Sequence, residues 1–203
     1  EVIHTKPMLS ADKTKDPAKI GAFAKKGKGP YAVSWKEDGL TLVLRYNKGK
    51  LIQGITRGDG IAGEDVTHNL AAILGIPLVI TYLDELEVRG ECIISWADFN
   101  AINDRVETPY SHPRNLAAGS IRLLARKEAR TRSLRFIAFE LVTPMVNTVE
   151  ESYRFMAEQG FSVVPHVITD DPVSVISSEE FNPEHYPFPV DGLIIEYNDK
   201  DFG

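Results

Sequence analysis

The chain has 203 residues, of which 43% are apolar and 26% charged, an ordinary balance for a globular protein with one large domain as the default. No run approaches the roughly 18 apolar residues needed to span a bilayer, and Glu1-Val2-Ile3-His4-Thr5-Lys6 lacks a charged-then-apolar signal pattern, so neither a membrane protein nor a secreted precursor is expected. The formal charge of −6 argues against strong stand-alone binding to nucleic acid, and the single cysteine, Cys92, excludes an internal disulfide and a cysteine metal cage, which points to a reducing cytoplasm.

The first residue is not Met, and the last residues, Asp201-Phe202-Gly203, follow a strand-like run, which suggests an excised piece. The opening segment carries Lys13, Lys15, Lys19, Lys25, Lys26 and Lys28 around only Ile20, Phe23 and Ala24. That pattern predicts a loop and one short helix with a solvated face. From Tyr31 the composition turns β-rich: 31–36, 40–46 and 51–56 read as strands, with Asn47-Lys48-Gly49 as the turn before the third. Together they predict an antiparallel meander. Further strands are expected at 85–94, 134–142 and 192–197. Helices are expected at 95–106, with Ser95 as N-cap and Asp98 at its third position, at 114–126, and at 148–159, closed by Gly160. The fold class is α+β, with antiparallel sheets and packed helices.

Chemistry concentrates in five places. Lys36-Glu37-Asp38-Gly39 ends one strand, where a lysine can project from a rigid element as a nucleophile toward phosphorus; Asp38 could orient it, and Gly39 lets the chain turn close to a ligand. The four residues also fit a charged surface turn. Gly58, Gly60 and Gly63 match the spacing of a dinucleotide fingerprint, but Asp59, Glu64 and Asp65 would crowd a pyrophosphate, and the preceding strand follows a hairpin turn. Glu91 could accept from a ribose or help hold a metal, or be a surface carboxylate on an edge strand. Arg114 and Arg122, two helical turns apart, would lie near one face and could cradle phosphates, or be solvated. Asp191-Gly192 precedes a buried strand. The five histidines show no metal-ligand spacing, so each reads as a surface or core imidazole.

In this order the segments resemble the adenylation domain of bacterial NAD-dependent DNA ligases over nearly the whole chain. The likeness runs from His4 to Ser10, through Lys36-x-Asp38-Gly39, the Thr-Arg-Gly-Asp-Gly-x-x-Gly-Glu-Asp-Val-Thr run from Thr56, Leu86 to Glu91 and the Pro-Arg-Asn-x-Ala-Ala-Gly-Ser run from Pro113, to Asp191–Ile195. Lys-x-Asp-Gly is shared with ATP-dependent ligases and capping enzymes, whereas the two long runs are particular to the NAD-dependent class. The resemblance implies a covalent nucleotidyltransferase fold in which Lys36 attacks the adenylyl phosphorus of NAD, with Asp38 as catalytic partner. It implies nucleotide-binding roles for Ser10, Ala11, Ser34, Arg57, Glu91, Asp191 and Glu196, and phosphate or DNA contacts for Arg114 and Arg122. The lysine must be neutral to attack, so cationic arginines and Mg2+ are expected beside it.

Two positions depart from the family pattern. Ser34 stands where a glutamate usually contacts adenine, and Glu196 stands where a lysine contacts the phosphate, so a catalytically degenerate nucleotide- or DNA-binding module is the alternative expectation. The upstream domain for the nicotinamide half, the final lysine motif and the downstream DNA-binding domains are absent from the sequence. Nicked double-stranded DNA is therefore expected as a partner only with those parts present, and the chain is expected to be cytoplasmic and monomeric.

Overall fold

The computed structural model describes residues 1–4, 29–122 and 133–202. Three antiparallel sheets organise the chain. A four-stranded sheet has the order β4-β3-β6-β7, formed by β3 (Leu40–Asn47), β4 (Lys50–Thr56), β6 (Leu86–Ile93) and β7 (Arg135–Thr143). A three-stranded sheet places β2 (Tyr31–Glu37) between β8 (His166–Thr169) and β9 (Val190–Tyr197). A short ladder joins β1 (Val2–Ile3) to β5 (Ala62–Gly63). The α+β expectation is met.

The expected meander is only half present. β3 and β4 pair as a hairpin, but β2 pairs with β8 and β9 and not with β3. The chain changes sheets at Asp38-Gly39: a Cβ on Gly39 would lie 2.2 Å from the Cys92 carbonyl oxygen, so only glycine lets the backbone cross that close to β6. β8 was not anticipated; its four residues, between Pro165 and Asp170, are too few to show a period. Glu91 is not at a sheet edge, because β6 lies between β3 and β7. The interruption at Gly90 has a packing cause: the Phe136 ring covers it so closely that a Cβ would meet its Cζ at 2.3 Å.

The helices follow their capping signals. Ser95 caps α1 (Trp96–Asn103), accepting from the Asp98 amide at 3.1 Å, and Thr148 caps α3 (Val149–Glu158), accepting from the Glu151 amide. Gly160, at φ +97, ends that segment as expected. α2 (Pro113–Ile121) begins one residue earlier than expected, with Pro113 in its first turn, and Arg122 is its C-cap; residues 123–126 of the expected helix lie outside the described residues, as does the helix expected in the opening segment. A short α4 (Pro172–Ile176) also forms.

One core unites these layers: Leu42 and Leu44 of β3, Val88 of β6, Phe136 and Ala138 of β7, Leu116 and Ile121 of α2, and Tyr153 and Met156 of α3 are all buried in it. Burial of each large side chain contributes about 1.5–3 kcal/mol, which holds the two larger sheets as a fixed frame. Among the described residues, no helix is long and apolar enough to cross a membrane.

Candidate active site

Lys36 stands one residue before the end of β2. The β2–β9 register runs Trp35↔Leu193 and then Glu37↔Val190, so β9 carries an extra residue opposite Lys36. This bulge presents Asp191, whose Oδ2 lies 3.9 Å from Lys36 Nζ. Gly192, at φ +133, supplies the backbone conformation the bulge requires.

Directly after the lysine, Asp38 is engaged from α2. Arg114 Nη1 donates to its Oδ1 at 3.0 Å, and His112 Nε2 lies 3.6 Å from its Oδ2. His112 also caps α2, its Nδ1 accepting from the Arg114 amide at 3.0 Å. An Nδ1 that accepts leaves the ring proton on Nε2, where it points to Asp38. His112 was therefore underread in the sequence. Its one signal was its place before Pro113, and histidine is not among the favoured N-cap residues.

Glu91, on β6, lies near Asp38. Its carboxylate accepts from Thr41 Oγ1 at 2.7 Å and from the Gly39 amide, with the Asp38 and Arg57 charges nearby. Burial pushes it up to about 7, against those hydrogen bonds. Glu37, on the opposite face of β2, is likewise pushed up to about 7 by burial, although the Tyr186 hydroxyl donates to it and pulls the other way. Trp35 stacks on Tyr186 at 5.2 Å on that back face. Neither Glu37 nor Tyr186 carried a sequence signal.

Ser34 and Glu196 lie further along the sheet. Strand alternation puts Ala32, Ser34 and Lys36 on one face of β2, and the register sets Glu196 opposite Ala32 and Ile194 opposite Ser34. Glu196 thus shares the lysine's face but sits four residues away from it. Ser34 hydrogen-bonds to the buried Tyr153 of α3, whose ring lies 4.1 Å from that of His166. Glu196 is pushed up to about 7 by burial and by the charge of Glu140, with Lys200 opposing.

The glycine-rich run is a pinned turn. Cβ atoms on Gly58 and Gly63 would fall 1.9 and 1.8 Å from the carbonyl oxygens of Ala62 and Thr56. Asp59 Oδ1 accepts from the amides of Ile61 and Ala62 at 2.8 Å, and His4 Nε2 bonds to the Arg57 carbonyl at 2.8 Å. These glycines serve backbone packing, in keeping with the rejection of a dinucleotide fingerprint. Arg57 is brought to Glu91, but Arg122 pairs with Glu64 at 3.4 Å, at the far end of α2 from Arg114. Eight residues of helix separate the two by about 12 Å along the axis, and they engage different carboxylates, Asp38 and Glu64. Ser10 and Ala11 lie outside the described residues.

Against known proteins, residues 1–203 match the family described as NAD-dependent DNA ligase adenylation domain. The chain belongs to that family. It is 37% identical over 212 residues to the DNA ligase of Lachnoclostridium phytofermentans and 36% identical over 209 residues to that of Ruminiclostridium cellulolyticum, covering 98% of this chain and 32% of each relative. The DNA ligase of Lacticaseibacillus casei is 39% identical over 180 residues, which is 83% of this chain and 27% of that one. The adenylation domain thus spans about a third of the length of these relatives. A solved structure of mycobacterial DNA ligase D complexed with ATP and MES matches at a TM-score of 0.48 and 13% identity, over 96% of this chain and 55% of that one.

Proposed function

We propose that this adenylation domain performs the covalent step of strand sealing with NAD as donor. Lys36 Nζ attacks the adenylyl phosphorus; an N–P bond forms, the P–O bond to nicotinamide mononucleotide breaks, and lysyl-AMP remains. The observation that carries this reading is the convergence at the end of β2 of Lys36 with Asp191, Asp38 with Arg114, and Glu91 with Arg57. Asp191 is placed to orient the amine and accept the proton it must shed. Arg57 and Arg114 supply positive charge where phosphate charge grows in the transition state, and Glu91 is placed to accept from ribose hydroxyls. Asp38 fixes Arg114.

In the complete protein we assign the later steps, transfer of AMP to the 5′ phosphate of a nick and attack by the 3′ hydroxyl, to this site acting with DNA-binding segments supplied elsewhere. The acidity of this domain, at −6, makes such help necessary. A cytoplasmic, monomeric enzyme fits this reading. Mg2+ is part of the reading as an ion accompanying the phosphates. Among the described residues no three His, Cys, Asp or Glu side chains converge as a cage, so they do not fit a protein-held metal and no step is routed through one.

The test is intact-protein mass spectrometry of the full-length protein after incubation with NAD and magnesium, wild type against Lys36→Ala. An AMP-sized increment on wild type only is expected. No increment with NAD or with ATP overturns the reading in favour of a degenerate binding module.

A further inference from the structure

Thr41, in β3, is tied to both Glu91 and Arg57. The β3–β6 register sets it directly opposite Glu91, and its hydroxyl donates to Glu91 Oε1 at 2.7 Å. Its backbone carbonyl accepts from the Arg57 amide at 3.2 Å, just past the end of β4. The Gly39 amide is a second donor to the Glu91 carboxylate. A glutamate side chain turns about several bonds, and without partners it samples several directions. Two donors on the same carboxylate, one from the backbone at Gly39 and one from the Thr41 side chain, select one of them. A carboxylate offers roughly four acceptor sites, so these two bonds leave places for ribose hydroxyls.

We propose that Thr41 is a positioning residue that sets the ribose selectivity of the adenylyl donor, by holding the Glu91 carboxyl at the angle from which it accepts from the ribose hydroxyls. This rests on the reading that Glu91 meets the ribose of an adenylyl donor. The hydroxyl of Thr41, and not the shape of its side chain, carries the effect. Valine at this position keeps the branched outline and the strand preference, and its carbonyl still takes the Arg57 amide, so the β3 backbone and Arg57 keep their places. What is lost is the side-chain donor to Glu91. The carboxylate then turns toward the nearby Arg57 charge and away from the ribose, while Lys36 and Asp191, on the other sheet, stay where they are. Serine keeps the donor and with it the angle of the carboxyl.

The test is single-turnover formation of lysyl-AMP by the full-length protein and its Thr41→Val and Thr41→Ser variants, with NAD and with NAD analogues lacking the 2′ or the 3′ hydroxyl of the adenosine ribose. Wild type should prefer NAD over the poorer analogue by about 10-fold or more in kcat/KM, since a site built to bond a hydroxyl rejects the analogue lacking it. Thr41→Val should reduce that preference to within about threefold, chiefly by raising KM for NAD, and Thr41→Ser should keep it. The preference is a ratio read within one preparation, so a smaller folded fraction cancels from it. A preference unchanged in Thr41→Val, a loss equal for all donors, or a wild type that shows no preference overturns the proposal and leaves the Lys36 chemistry standing. A wild type that forms no adduct with NAD overturns the adenylation reading itself.

Discussion

Arg114, in the first turn of α2, holds Asp38 by a hydrogen bond of 3.0 Å, and so ties the helix to the residue two past the reactive lysine. The Arg114 side chain is 54% exposed, so the pair contributes less than about 1 kcal/mol to stability. Its value is positional. Arg114→Ala should leave the urea midpoint nearly unchanged and slow lysyl-AMP formation by at least about 10-fold, because Asp38 and the cationic charge both lose their fixed place. Single-turnover rates at saturating NAD check this, and an unchanged rate would remove Arg114 from the machinery.

The buried Glu37 should make stability depend on pH. Its carboxyl lies at about 7 in the fold against 4.5 as a free side chain, so folding takes up a proton between those values. The stabilisation by the neutral form is complete below about 4.5 and is lost as pH rises through about 7. In Glu37→Gln that loss is absent. From pH 4.5 to pH 8 the difference in unfolding free energy should therefore move in the variant's favour by up to about 3 kcal/mol. Parallel urea titrations of the two proteins across that range check this, and a difference that does not change with pH would remove Glu37 as a buried acid.

The glycine-rich turn predicts a structural defect with no selective loss of donor binding. Gly63→Ala drives a Cβ to 1.8 Å from the Thr56 carbonyl oxygen, which the backbone must move to relieve. A loss of at least about 2 kcal/mol is expected, visible as a lower denaturation midpoint. The fraction that stays folded should bind AMP with wild-type affinity. Weak AMP binding at full stability would instead place this turn against the nucleotide.

Much of this arrangement was legible in the residues. The β-branched runs located most strands, Ser95 and Thr148 marked two helix starts, and Lys36 was rightly placed near a strand end. What was hidden is non-local. Nothing near Tyr31–Glu37 states that this strand leaves its hairpin neighbours for β8 and β9, because pairing partners more than 100 residues away decide it. The same holds for the approach of His112 to Asp38 and for the position of Glu196 along the sheet. Helical angle alone suggested that Arg114 and Arg122 act together; axial rise, which a sequence wheel omits, separates them.

That separation gives a last prediction, which divides the two arginines by reaction step. Arg122 touches Glu64, and both side chains are more than half exposed, at 62% and 57%. Exposed pairs of this kind contribute about 0–1 kcal/mol, so Arg122→Ala should change neither the denaturation midpoint nor lysyl-AMP formation beyond about twofold. If Arg122 contacts DNA, its loss appears only after the adduct has formed, as slower sealing of a nick by the full-length protein and a weaker salt dependence of that step. Preformed lysyl-AMP enzyme mixed with nicked duplex at two salt concentrations makes the measurement. A defect in adduct formation equal to that of Arg114→Ala would mean that the two arginines do converge on the nucleotide, and that the geometry changes when the donor binds.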